Sequence, residues 1–193
     1  KKHLANKFFA TSPGLISLSE NSIQVLESYV HNGDVNLSSG DIEFNGPVII
    51  NGSVDTGAKV IATGDVTISG NIRNGNVITR SNLEVEGGII TSSKASVVCG
   101  GNLKANFIEN STIYCSGNIE VEKAIISSKI CAGNNILVTG ESGLVAGCNI
   151  FLWGTLDTAD FGFGAGRETT VYLGTNWKHS QSHEIKIARR DRL

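Results

Sequence analysis

The sequence predicts an all-β fold: a right-handed parallel β-helix of about seven coils, with a short N-terminal β cap and a C-terminal tail. Three observations carry this expectation. The composition suits strands and turns, one pattern recurs about every 18 residues, and the apolar positions of the copies fall into columns. The 193 residues include 36 Ile plus Val against 13 Leu, with 23 Gly, 2 Pro and no Met. β-branched residues fit pleated, half-buried surfaces, and glycine supplies turns, so a helix bundle is excluded.

Residues 1–32 lack the repeat and read as an N-terminal cap or linker. Pro13-Gly14 marks a turn, and Leu15-Ile16-Ser17-Leu18 and Ile23-Gln24-Val25 read as short strands, a hairpin to close the first coil. Stacked repeats need such caps because an open end is an exposed edge.

Residues 33–174 carry the repeat domain. Seven copies open with Gly40-Asp41-Ile42, Gly64-Asp65-Val66, Ser81-Asn82-Leu83, Gly101-Asn102-Leu103, Gly117-Asn118-Ile119, Asn134-Asn135-Ile136 and Cys148-Asn149-Ile150. Gly followed by Asp or Asn is turn chemistry, and alternating apolar residues mark a strand with one buried face. No single coil buries its own apolar side, whereas a stack does. The first inward column reads Ile42, Val66, Leu83, Leu103, Ile119, Ile136 and Ile150. Upstream of each turn run Val60, Val77, Val97, Ile113, Ile130 and Leu144, and then the small residues Ala62, Thr79, Cys99, Cys115, Ala132 and Ala146. Parallel crossovers give the expected hand. The tail, 175–193, is polar, with Lys178, Lys186, Arg189, Arg190 and Arg192 outnumbering Glu184 and Asp191. It reads as the start of a helical segment or a frayed end.

The columns also assign the cysteines. Cys99 and Cys115 are small inward residues of neighbouring coils, Cys131 points outward and Cys148 takes a turn position. Their spacings of 16, 16 and 17 contain no short pair of the kind zinc sites use, so they read as structural thiols in a reducing compartment, a Cys99–Cys115 disulfide being the lesser reading. The ladder from Asp41 to Asn149 reads as turn chemistry because five of its seven members are neutral amides.

No catalytic, cofactor or metal residue is expected. Glu84, Glu86, Glu120 and Glu122, with Lys104 between them, could supply the carboxylate pair of a carbohydrate-active β-helix, but they read as a solvated face. His179 and His183 lack the glutamate of a metalloprotease helix. The stretch from Asp160 to Arg167 lacks the Gly-Lys-Ser/Thr ending of a phosphate loop. A net charge of -2 gives no case for nucleic acid. No stretch reaches the ~20 apolar residues of a membrane span, and Lys1 to Asn6 shows no signal peptide. The chain does not begin with Met and reads as a fragment. The surface feature that stands out is apolar: Leu137, Phe151 and Trp153 occupy outward positions where earlier coils carry polar residues. They are the expected partner surface, with Phe161, Phe163 and the tail as the chain's own candidates to cover them.

Residues 33–48 (Gly33-Asp34-Val35 to Gly46-Pro47-Val48) resemble the opening of the repeat domain of the flagellar assembly protein A family. Phe107-Ile108-Glu109-Asn110-Ser111, residues 122–130, Gly143-Leu144-Val145-Ala146-Gly147 and Thr170-Val171-Tyr172-Leu173-Gly174 are similar to later segments of it. Departures include Pro47 in a strand, and Cys148 and Trp153 late in the stack. The resemblance implies a bacterial cytoplasmic protein and a non-catalytic scaffold in flagellar assembly or motility. Its partners would be proteins, a second copy of the chain among them. The alternative is a self-polymerising cytoskeletal β-helix in the style of bactofilins, and the lesser one a carbohydrate-active enzyme.

Overall fold

The computed structural model describes residues 15–19, 22–92, 95–162 and 168–174. Every regular element among them is a strand. The solenoid is a stack of eight windings, each with three faces. On the first face the strands follow the order Tyr29–Asn32, Val48–Asn51, Val66–Ile68, Leu83–Ile90, Leu103–Glu109, Ile119–Ile126, Ile136–Val138 and Leu156–Asp157, all parallel to their neighbours. The three long strands turn a corner and continue onto the second face, where Ile89, Ile108 and Ile125 stack on Ile72 at one end and Val145 at the other. The third face is an eight-stranded sheet running from Ile42–Phe44 to Thr170–Leu173. At ~4.8 Å per winding the stack is about 34 Å long.

The core is a tube of Ile, Val and Leu. Val66 and Leu83 are each 1% exposed, and Ile50, Ile89, Ile113, Ile130 and Ile136 are fully buried. A parallel sheet can be this apolar because the other two faces of the same coil cover its inner side.

Eight windings replace the expected seven, and the reason lies in the corners. The corner before the third face offers the same Gly, Asp or Asn chemistry in some windings, at Gly40-Asp41, Gly75-Asn76 and Cys148-Asn149. Ile42 pairs with Val60, and Ile150 with Ile130, so the first and last copies of the motif belong to the third face, not the first. The true first-face partners at the ends, Val48 and Leu156, follow Pro47 and Thr155, which lack the motif. Leu144 and Ala146 likewise stack on Ala124 and Ile126 on the second face. Pro47 lies at a corner just before its strand, where it forfeits no ladder bond.

One corner shows why amides recur. The backbone N–H of Asn82 donates to Asp65 Oδ1 at 3.0 Å, and that of Asn102 to Asn82 Oδ1 at 2.9 Å. Asn118, Asn135 and Thr155 continue the series at 2.9, 3.2 and 2.9 Å. Each side chain thus satisfies a corner donor of the next winding.

Leu15–Ser19 and Ser22–Leu26 form the expected hairpin, paired antiparallel as a separate two-stranded sheet. The stretch before Leu15, Phe163 and residues 175–193, with His179 and His183, lie outside the described residues.

Candidate interaction surface

Alternation along each strand of the third face turns every second side chain outward. These outward residues stack in register: Ile61 on Ile78, Ile78 on Val98, Val98 on Tyr114, Tyr114 on Cys131, Cys131 on Phe151 and Phe151 on Tyr172. A water-facing column on a solvated sheet is ordinarily polar; this one is apolar over seven windings. Its members shield one another. Most are half-buried, Cys131 is buried, and Tyr172 is 46% exposed at the end. The Phe151 and Tyr172 rings stack 4.6 Å apart, 7° from parallel, and Lys129 Nζ lies 6.0 Å from the Phe151 ring centre.

Polar residues and glycines flank this stripe over most of its length. From the second winding onward the outward positions beside it carry Lys59, Arg80 and Lys129, and the corner leading into the last strand carries the exposed Glu168. Trp153, 61% exposed, follows Leu152 at the edge of the same face.

The three expected surface residues are therefore divided. Phe151 and Trp153 share the third face. Leu137, 39% exposed, stands on the first face between Glu120 and Asp157. The sequence alignment placed Phe151 level with Leu137 because it assigned Ile150 to the wrong face. Ile61, Ile78, Val98, Tyr114 and Tyr172 escaped the sequence reading. The signal was present: runs such as Val60-Ile61-Ala62 and Val97-Val98-Cys99 are apolar on both sides, where a half-solvated strand alternates.

The cysteines are buried thiols. Cys99 and Cys115 pair in register inside the tube, as expected. Cys131 takes the expected outward parity, yet it is covered by its place between Tyr114 and Phe151. Cys148 follows the left-handed Gly147 (φ 66°) but points into the core, its Sγ within 3.2 Å of the Ala146 carbonyl oxygen and 3.4 Å of that of Ile125. It continues the corner of Ser111 and Ser128, whose hydroxyls donate 2.7 Å to the carbonyls two residues back. Burial pushes the Cys148 thiol up, and contact with Cys99 followed by burial pushes Cys115 up. Thiols held protonated in this way are poor nucleophiles and metal ligands.

Glu84, Glu86, Glu120 and Glu122 line an open hollow of about 310 Å³ on the first face. Lys104 sits between Glu84 and Glu120 in register, its Nζ 3.9 Å from Glu120 Oε1. Alternating charge on neighbouring strands of a solvated sheet needs no catalytic role. No group of three or more metal-ligating side chains converges among the described residues.

With this geometry in view, a family model described as the Flagellar Assembly Protein A beta solenoid domain matches residues 27–191. The chain belongs to the flagellar assembly protein A family. The match begins just before Tyr29, the opening residue of the first winding, and spans all eight windings. Each of the family-like segments found in the sequence lies inside it. No curated protein and no solved structure matches the chain. Among the described residues no helix is long and apolar enough to cross a membrane.

Proposed function

We propose that the chain is a non-catalytic scaffold in bacterial flagellar assembly or motility, working in the cytoplasm and presenting the third face of its solenoid to a protein. The observation that carries this is the apolar column from Ile61 to Tyr172, seven windings long on the outside of a sheet. A continuous apolar row on a rigid surface, rimmed by polar residues, is what protein contact requires. The domain runs from Tyr29, four residues before the start at 33 that the repeat gives, to Gly174. A photo-cross-linking residue in place of Tyr114 in the native cell should yield protein adducts, while one in place of Glu120 on the first face should not. No adduct at 114 sinks the reading.

The second reading is a growing polymer in the bactofilin style. Among the described residues, Phe161 and Leu173, in the inward columns of the last winding, are 48% and 63% exposed, an apolar end of the kind another solenoid would cover. Sedimentation at rising concentration separates the two, since a polymer keeps growing.

A further inference from the structure

The apolar stripe is self-complementary, and we infer that its occupant is a second copy of this chain, packed face to face and running antiparallel. The inference rests on the third face being the contact surface and goes on to name what fills it. The stripe spans the second to the eighth winding, so its midpoint is Tyr114 in the fifth. A two-fold axis through that level, along the strand direction, sets the second winding against the eighth and the third against the seventh. The aliphatic half then meets the aromatic half: Ile61 faces Tyr172, Ile78 faces Phe151, and Tyr114 faces its own copy.

The flanking columns agree with the same axis. Arg80, beside Ile78, comes opposite Trp153, beside Phe151, an arrangement that places a guanidinium on an exposed indole. Lys59 comes to the end of the stack where Glu168 precedes the last strand. Gly100 meets Gly133, leaving the backbones room to approach. A parallel pairing would instead set Arg80 against Asn76 and leave Trp153 against Asn149. The contact is about five residues, or roughly 17 Å, wide and about 34 Å long, giving about 570 Å² per copy, which clears the roughly 1,000 Å² total asked of a specific interface. An isologous contact of this kind closes at two copies.

Two measurements on the full chain decide it. Sedimentation equilibrium should give twice the 20.4 kDa chain mass. Arg80→Glu, an exposed site, should weaken the dimer by about tenfold or more, and Phe151→Ser with Trp153→Ser should give monomers with an unchanged circular dichroism spectrum. Ser116→Cys, at the two-fold level, should form an intermolecular disulfide, while Thr63→Cys, far from its copy, should not. A chain that stays monomeric, a polymer that grows without limit, or a dimer in which Ser116→Cys fails to cross-link overturns the inference. Monomers whose residue 114 adducts contain a different protein overturn it alone and leave the scaffold reading standing; absence of any adduct at 114 removes both.

Discussion

Gly88 lies beneath the ring of Phe107 on the next winding, so close that a Cβ at 88 would collide with the ring atoms. Gly88→Ala should therefore cost about 1–3 kcal/mol in urea unfolding, and adding Phe107→Ala should make the glycine substitution nearly neutral; full additivity of the two losses would contradict this. The thiols make a second case. With Cys99, Cys115, Cys131 and Cys148 all at 1% exposure or less, a thiol reagent at about pH 8 should modify them only as fast as the chain opens. Rapid modification of the native protein would show that the windings do not cover them. Parity along a strand was legible in the sequence and placed Cys99 and Cys115 correctly. It tells which side a residue takes, not what covers it, so the burial of Cys131 under aromatic neighbours was not legible. Nor was the inward turn of Cys148, which depends on a left-handed glycine at the corner before it.

The amide ladder gives a corner its stability one bond at a time. Asn102→Ala removes the acceptor of the Asn118 N–H and should cost about 1 kcal/mol; Asn102→Asp keeps an acceptor and should cost less. Equal losses would mean that the side chain merely fills space. At the head of the ladder the Ser81 hydroxyl, then the Asn82 backbone N–H, hold the Asp65 carboxyl below its ordinary 3.8. A carboxyl lowered by folding stabilises above its unfolded pKa, and that support is lost as pH falls through the folded value. The urea midpoint should thus drop on acidification, and Asp65→Asn should lessen the drop. An identical acid limb in both proteins would show that the bonds to Asp65 carry no linkage. The central copies of this ladder stood out because each pairs Gly, Ser or Asn with Asp or Asn before an apolar strand. Its ends did not, because Pro47 and Thr155 replace the amide there while a different corner offers the same motif. The outer apolar column was equally readable, in the apolar triplets of the third-face strands, but it required knowing that both sides of a strand were being filled.

At the scale of the molecule, each winding touches only its neighbours, so stability is a sum of local interfaces and the ends are the weakest. Ile108→Ala in the middle of the stack should cost about 2–5 kcal/mol, and Val171→Ala in the last winding distinctly less, since Val171 is only half-buried. The fold class, the parallel pairing and the winding length were visible from the repeat alone. The count of eight was not, because the first-face strands opening at Tyr29 and Val48 at one end and at Leu156 at the other lack the motif. The claim beneath all of this is that residues tens of positions apart rise one winding at a time along a single axis. Pulsed dipolar spectroscopy tests it most directly. One spin label replaces the exposed Val30 and a second replaces Lys104, Glu120 or Leu137 in turn, with the labelled chain diluted in unlabelled protein. Those outward first-face sites lie four, five and six windings from Val30. The predicted distances are about 19, 24 and 29 Å, in equal steps of ~4.8 Å; distances that fail to rise in order, or rise in unequal steps, contradict the stack.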